Sequence, residues 1–342
     1  MPMIDMRSDT VTRPTPAMRQ AMANAEVGDD VLDGDPTVRR LERTVADLLG
    51  KEVGLFFPSG TMANQTALWL LGRRGTEVLL DANAHIIHWE VAGAAGLCGL
   101  QARPVPADGA VMRAADLTRA VRPSSPHAPT ASLVCVENTH NGAGGKVTRV
   151  EDLADIRQAA NRAGLPVHMD GARLWNASAA TGTPLDEFGA CVTTVMVSFS
   201  KGLGAPVGAV LAGPADAMAD AWAARKRFGG GMRQSGILAA GALHALAHHR
   251  TRLGEDHEHA RLFASSVDGA GGARVIHPDT IIVMVDLPAH LDAAAVVRRA
   301  ADDGVLITPW SATRVRAVTH LDVNRAAVER AAAVVARCLE AA

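Results

Sequence analysis

The chain contains no tyrosine among its 342 residues. Any chemistry that needs a phenol of its own as acid or base is therefore excluded. Aromatic residues are scarce, at 3%, while hydrophobic residues make up 48% and charged residues 20%, the balance of an ordinary globular chain. Long apolar runs are missing as well. Stretches such as Ile281-Ile282-Val283-Met284-Val285 fall far short of the roughly 18 residues that a membrane helix needs. The formal net charge is −2 and there is no basic block, so neither nucleic acid nor an anionic membrane is indicated as a partner. Met1 to Thr10 carries Asp5 and Asp9 and lacks the apolar centre of a secretory signal. Only four cysteines occur, Cys98, Cys135, Cys191 and Cys338, and no two stand at metal-ligand spacing. They read as small buried hydrophobes of a reducing, cytoplasmic compartment, and no metal site is expected.

The length suits one large α/β domain and a smaller one. Residues 1–35 read as a charged loop with turn formers at Gly28-Asp29-Asp30 and Asp33-Gly34-Asp35-Pro36. From Thr37, the apolar positions Val38, Leu41, Val45, Leu48 and Leu49 recur at helix spacing as far as Gly50. Short apolar runs then alternate with helical segments. Strands are predicted at Val53 to Phe57, Glu77 to Leu80, Ala131 to Val136, Val167 to Met169, Thr193 to Ser198 and Gly208 to Leu211, with helices over Thr61 to Leu71 and Val150 to Ala163. Such alternation implies a mostly parallel sheet buried on both faces. Beyond about residue 240 the pattern changes to an α+β module. A long helical stretch passes through His248, Arg252 and Leu262. Strands follow at Arg274 to His277, Ile281 to Asp286, Val305 to Ile307 and Val315 to Val318, with helices over Ala293 to Asp302 and from Asn324. The expected division is residues 1–240 and 241–342.

Three local signals carry chemistry. Ser59-Gly60-Thr61 follows a strand and opens a helix, where free N–H groups and the helix dipole suit a phosphate; a plain N-terminal cap is the equal alternative. Asp170, in Val167-His168-Met169-Asp170-Gly171-Ala172-Arg173, ends a strand, where open α/β sheets bind ligands. A carboxylate there can keep a pyridine nitrogen protonated, although for a lone aspartate a helix cap is the stronger reading. Lys201 follows the apolar strand Met196-Val197-Ser198 and precedes Gly202-Leu203-Gly204, unusual company for a solvated lysine. A desolvated lysine has a lowered pKa and forms Schiff bases readily. Each signal alone is weak, but the order Ser-Gly-Thr, Asp, Lys is much more specific.

That order resembles the aspartate-aminotransferase-like (fold type I) enzymes that use pyridoxal 5'-phosphate. Longer motifs narrow the resemblance: Arg7-Ser8-Asp9-Thr10-Val11-Thr12, Gly28-Asp29-Asp30-Val31, Phe57-Pro58-Ser59-Gly60-Thr61-Met62-Ala63-Asn64, Glu137-Asn138-Thr139-His140-Asn141, His168-Met169-Asp170-Gly171-Ala172-Arg173, Ser200-Lys201-Gly202-Leu203-Gly204-Ala205-Pro206 and Gly230-Gly231-Met232-Arg233-Gln234. Together they are similar to the low-specificity L-threonine aldolases from about residue 4 to Val323. One departure is Leu32, where that family usually has tyrosine.

The resemblance implies a role for each matching residue. Lys201 carries the cofactor as a Schiff base and Asp170 meets its ring nitrogen. Ser59, Gly60 and Thr61 hold the phosphate, with Arg233 reaching a phosphate as well, in the same site or a neighbouring subunit's. His85 stacks on the pyridine ring. Arg173, beside the cofactor, and Arg316 hold the substrate carboxylate, with Ser8 assisting. His127 is a second active-site histidine, and Lys226 lies near the substrate. Trp89 either lines the site wall or packs in the core. His88, His244, His248, His249, His257 and His259 read as surface or core residues, His168 is given no role, and Asp29, Asp30, Asp33 and Asp35 read as a solvated acidic loop rather than a cation site.

The implied reaction is reversible cleavage of a β-hydroxy-α-amino acid to glycine and an aldehyde, with His85 or His127 taking the β-hydroxyl proton. A transaminase, a β-eliminating lyase and a non-catalytic pyridoxal-phosphate protein are the rival readings. Homo-oligomers are implied, a dimer that shares its sites and by resemblance a tetramer. The purified protein should be yellow. Lys201→Ala should bind the cofactor without the visible absorption band, and survival of the band in that variant would show the lysine to be wrongly assigned.

Overall fold

Asp35 starts the first long helix. Its Oδ1 accepts the N–H groups of Thr37 and Val38, at 3.0 and 3.1 Å, with Pro36 in the first helical position. The helix, Pro36–Leu48, is followed by strands and helices in alternation. The computed structural model describes residues 3–107 and 111–340. After a short strand β1 (Ile4–Asp5), the strands of the large sheet are β2 (Val53–Phe57), β3 (Glu77–Asp81), β4 (Gln101–Val105), β5 (Ala131–Glu137), β6 (Val167–Gly171), β7 (Thr194–Ser198) and β8 (Ala209–Gly213). They lie in the order β2-β8-β7-β6-β5-β3-β4. Only β8 is reversed, antiparallel to both β2 and β7.

The inner strands are largely apolar because both faces of the sheet are covered there. Leu79, Val134, Met169, Val195 and Val197 enter one core, while Val78, Leu80, Leu133 and Cys135 enter a second and Met196 with Leu211 a third. All four cysteines are buried and unpaired.

The second unit is a four-stranded sheet built from β9 (Arg274–Ile276), β10 (Ile282–Asp286), β12 (Thr308–Ser311) and β13 (Arg314–Val318), in the order β12-β13-β10-β9 and antiparallel throughout. β11 (Val305–Leu306) does not join it. It pairs in parallel with β1, Ile4 opposite Val305 and Asp5 opposite Leu306. The helices Leu253–Val267, Ala293–Asp302 and Arg325–Glu340 carry the core of this unit, including Phe263, Val296, Val328 and Val335.

Several elements differ from the sequence reading. Residues 16–23 form a helix rather than loop, capped by Thr15 with Pro16 in the first position; one short buried stripe around Met18 was too little periodicity to see. β4 was missed because it is a partly exposed edge strand containing Pro104, a position that tolerates proline. The long helical stretch after residue 235 is two helices, Gly236–His248 and Leu253–Val267, separated by a tight turn at Arg250–Arg252. Residue 240 falls inside the first of these. The large core still claims Leu253, and the smaller core begins at Ala260. Met6 also belongs to the smaller core. The N-terminal segment therefore joins the C-terminal unit before it turns to the large sheet.

β2 is an edge strand, and its outward Phe56 N–H is capped by Glu42 Oε1 at 2.8 Å from the helix laid across it. Burial, partly offset by that N–H and by Arg225, raises the Glu42 carboxyl to about 7. The native state thus holds this proton more tightly than the unfolded chain, so its contribution to stability declines as pH rises from about 4.5 to 7. Glu42→Gln should raise Tm at pH 8 and leave it unchanged near pH 4. An equal Tm for both proteins at pH 8 would show that the carboxyl ionises there without cost.

Candidate active site

The parallel strands bring their carboxyl ends to one edge of the sheet. Register places Glu137 on β5 opposite Asp170 on β6, and Asp170 opposite Met196 on β7. Lys201 follows β7 by three residues. The turn after it closes with Gly204 N–H donating to the Lys201 carbonyl at 2.7 Å, and Gly204 adopts φ +74°, a left-handed conformation that favours glycine. His85 follows β3 at the same edge, opening the short helix His85–His88, and its backbone N–H donates to Glu137 Oε2 at 2.7 Å. Ser59 follows β2. Its hydroxyl accepts the Met62 N–H at 3.2 Å, so Ser59 caps the helix Gly60–Leu71. The first N–H groups of that helix lie ahead of any intrahelical bond and are open to an anion.

Above this edge lies a cavity of about 290 Å³, lined among others by Ser8, His85, Trp89, Arg173, Lys201 and Arg316. Trp89 is 56% exposed and faces Trp310 across the mouth, with ring centroids 5.8 Å apart; it is a wall residue and not part of the core. Arg316 lies over the Trp310 ring at 4.9 Å.

The charges beneath the cavity are unequally matched. Asp9 is fully buried and accepts two bonds from Arg173, at 2.8 and 2.6 Å. Burial opposes its ionisation, but Arg173 outweighs burial and the Asp9 carboxyl falls to about 2. Arg316 is also buried, yet it donates only to neutral groups, Asn141 Oδ1 at 3.0 Å and the Arg7 carbonyl at 3.1 Å, and its Nε has no partner among the described residues. Burial and the like charge of Arg173 bring it down to about 10. Lys201 is lowered by burial and then by Arg173, against Asp170, Asp9 and Glu137. Asp170 stays below the usual carboxylate range, because His85, Lys201 and two hydrogen bonds outweigh its burial.

Sequence reasoning overlooked the groups that orient Asp170. Asn64 donates from Nδ2 both to Asp170 Oδ2, at 2.9 Å, and to Glu90 Oε1, at 2.8 Å. Its Oδ1 faces His168 Nε2 at 3.0 Å, and His168 Nδ1 faces Thr194 Oγ1 at 2.9 Å. Burial drives the His168 pKa down to about 4, so this ring is a neutral donor that fixes the amide. Strand position held the clue: His168 and Asp170 are two residues apart and share a face. His85, Glu90 and Asp170 bring one ligand-type atom each within 4.8 Å of one another, but the Asn64 amide and the imidazole already fill that space with donors.

Three of the residues singled out from sequence lie outside this cavity in the chain itself. His127 is exposed on the loop before β5, at the amino end of a seven-residue strand whose other end carries Glu137. That strand separates it from the site by roughly 20 Å. Arg233 is exposed and 3.5 Å from Asp29. Lys226 is exposed at the end of the helix Ala221–Arg227. The loop carrying Arg233 does lie beside the capped helix, because Gly230 packs against the Met62 sulfur. Leu32 is 76% exposed and its N–H bonds Asp29. The acidic loop is used up structurally: Asp29 closes that turn, Asp30 pairs with the buried Arg225 at 2.6 Å, and Asp35 caps the helix.

These residues fit pyridoxal phosphate. A desolvated lysine, an anion held ionised at a strand end and a capped helix start stand on one edge, with an unmatched arginine above them. The fold and this set define an enzyme that depends on pyridoxal phosphate. The sequence matches the family model described as beta-eliminating lyase over residues 5–290. Low specificity L-threonine aldolase of Escherichia coli O157:H7 is 42% identical over 333 residues, 97% of this chain and 98% of that one. Low-specificity L-threonine aldolase 1 of Arabidopsis thaliana is 40% identical over 329 residues, 94% and 92% of the two chains. The solved structure of a threonine aldolase from Leishmania major shares the fold, with a TM-score of 0.83 at 20% identity over 98% of this chain and 99% of that one. The chain belongs to the beta-eliminating lyase family, and within it to the low-specificity L-threonine aldolases.

The unequal matching of the two arginines has a measurable consequence. Arg173→Ala strands the buried Asp9 anion and should lower Tm, since breaking a buried pair costs about 3–5 kcal/mol. Arg316→Ala removes a buried cation with no counter-charge of its own and should leave Tm at or above the parent value. Both should raise KM for the amino acid. A larger Tm loss in the Arg316 variant would reverse the assignment.

Proposed function

We propose that this enzyme cleaves L-threonine, L-allo-threonine and related β-hydroxy-α-amino acids to glycine and an aldehyde, reversibly. The observation that carries the reading is the arrangement around one cavity of Lys201, the uncompensated Arg316 and the imidazole of His85, which suits the amine, carboxylate and β-hydroxyl of one substrate. The names of the relatives support the same reaction.

Bound at Lys201, with Asp170 at its ring nitrogen and the Ser59-Gly60-Thr61 helix start at its phosphate, pyridoxal phosphate supplies a sink for the electron pair left on Cα. Arg316 holds the substrate carboxylate and Asn141 sets the plane of its guanidinium. Arg173, fixed in place by Asp9, lines the same wall and assists Arg316 with the carboxylate, as does Ser8. His85 or His127 accepts the β-hydroxyl proton as the Cα–Cβ bond breaks and the aldehyde forms. Cα then takes a proton and glycine leaves.

His127 can contribute only from another copy of the chain, because its own fold places it across the sheet. We propose a homo-oligomer on that ground, at least a dimer and by family a tetramer, with Arg233 and Lys226 on exposed surface near the shared sites. No helix of the described residues is long and apolar enough to cross a membrane. The four reduced, buried cysteines support a cytoplasmic location.

L-threonine and L-allo-threonine should each yield acetaldehyde and glycine in equal amounts, with no keto-acid acceptor. Release of 2-oxobutanoate and ammonia would mark β-elimination in its place. Replacing the operating base, His85→Asn or His127→Asn, should lower kcat by roughly 10²–10⁴-fold while glycine, which has no β-hydroxyl, binds nearly normally. His85→Asn should also change the cofactor spectrum, and His127→Asn should not. Wild-type kcat in both variants would exclude both histidines.

A further inference from the structure

Glu90 is a buried carboxylate beside the site, at 3% exposure, to which the reaction above gives no part. Its Oε1 accepts Asn64 Nδ2 at 2.8 Å and lies 3.0 Å from His85 Nδ1; its Oε2 accepts Gln65 Nε2 at 2.6 Å. Donors from three residues converge on two oxygens. Only a group that accepts at both positions satisfies them, and an amide in its place would set one N–H against another. The residues that follow carry a second sign. Val91 and Ala92 are consecutive non-glycine residues at φ 52° and 56°. A β-branched residue in that region is an outlier, and Val91, 96% exposed, has no packing that would impose it. Glu90, clamped by three side chains, stands immediately before this turn.

We propose that Glu90 is a positioning residue that holds the Nδ1–H tautomer of His85 and so leaves Nε2 as the basic atom facing the cavity. This rests on the aldol-cleavage reading. The dyad works as carboxylate–histidine pairs do elsewhere: the carboxylate fixes the ring and stabilises the imidazolium that forms. In the step itself the β-hydroxyl O–H bond breaks and its proton joins His85 Nε2. The oxygen's electrons form the aldehyde C=O bond, and the Cα–Cβ pair remains on Cα. Nδ1–H stays with Glu90, and His85 releases the acquired proton to solvent or to Cα. Nε2 has no protein partner among the described residues, as a base awaiting substrate requires. Besides Glu90, the charged groups facing this ring are Asp170 on β6, 4.0 Å from Nδ1, and Glu137 at the end of β5. Burial opposes protonation of His85, but these three carboxylates outweigh it and raise its pKa.

The test is Glu90→Gln in the holoenzyme, read in two ways. Hydrogen–deuterium exchange at the imidazole C2 position, followed by mass spectrometry, gives the His85 midpoint independently of turnover. Losing the Glu90 charge should lower that midpoint by about one pH unit. Because the base acts unprotonated, the acid limb of kcat for L-threonine should move to lower pH with it, while the plateau falls about 10- to 100-fold. Glu90→Asp, which keeps the charge but withdraws it from the ring, should hold the limb near its original pH and lose only plateau. In a His85→Asn background, Glu90→Gln should cost nothing further. An unmoved His85 midpoint in Glu90→Gln, or an equal loss of kcat in the His85→Asn background, overturns the proposal. If Glu90→Gln does not fold, a wild-type plateau in Glu90→Asp does the same. Absence of acetaldehyde from L-threonine with the parent enzyme would overturn the reaction assigned above and leave the His85 midpoint to decide the dyad by itself.

Discussion

The ion pair between Asp9 and Arg173 is the contact on which the rest of the site depends. Asp9 is shut off from solvent and Arg173 nearly so, and each is stable inside only because the other is there. Asp9 belongs to a segment that has just left the smaller core, where Met6 is buried and β1 is paired with β11. Arg173 follows β6 of the large sheet. The pair therefore fastens the N-terminal segment, the large sheet and the smaller unit at one point. Thr12 adds a second fastening by donating to the Lys201 carbonyl at 3.0 Å. With Arg173 already neutralised, Arg316 is left as the cation with no counter-charge of its own, and the electrostatic character of the cavity follows from that difference.

A second constraint is the burial of carboxylates. Asp170, Glu90 and Glu137 approach one another beneath the cavity, and like charges so close in a dry interior repel strongly. The structure meets this with neutral donors. Asn64 bridges Asp170 and Glu90, Gln65 takes the other oxygen of Glu90, and the backbone N–H groups of His85 and Asn141 take those of Glu137. Burial still raises the Glu137 carboxyl above its ordinary value, even with His140 opposing it. Such networks hold only when complete. His168, buried and neutral behind Asn64, completes this one.

What could be read from sequence divides along physical lines. Lys201 and Asp170 were legible because each stands at or just beyond the end of a buried, mainly apolar strand, and such a strand announces its own end. The parallel sheet was legible from the same alternation. The reversed β8 was not, since a strand's direction is set by its connection and not by its composition. Pro16–Ala23 was missed because it buries too few side chains to mark a period. Glu90, Asn64 and Gln65 are ordinary helix-compatible polar residues until the fold sets Glu90 against the ring of His85 and brings Asn64 and Gln65, from a separate helix, onto its two oxygens. His127 shows the opposite case: its motif matches the family, yet the chain's own sheet stands between it and Lys201.

The absence of tyrosine gives the molecule an optical simplicity. Its near-ultraviolet emission comes from five tryptophans alone, Trp69, Trp89, Trp175, Trp222 and Trp310. Two of them, Trp89 and Trp310, stand in tilted contact at the mouth of the cavity, one after the large sheet and one on the smaller. A visible chromophore seated on Lys201 would lie within energy-transfer range of both. Quenching of that emission would report cofactor loading, with no label added.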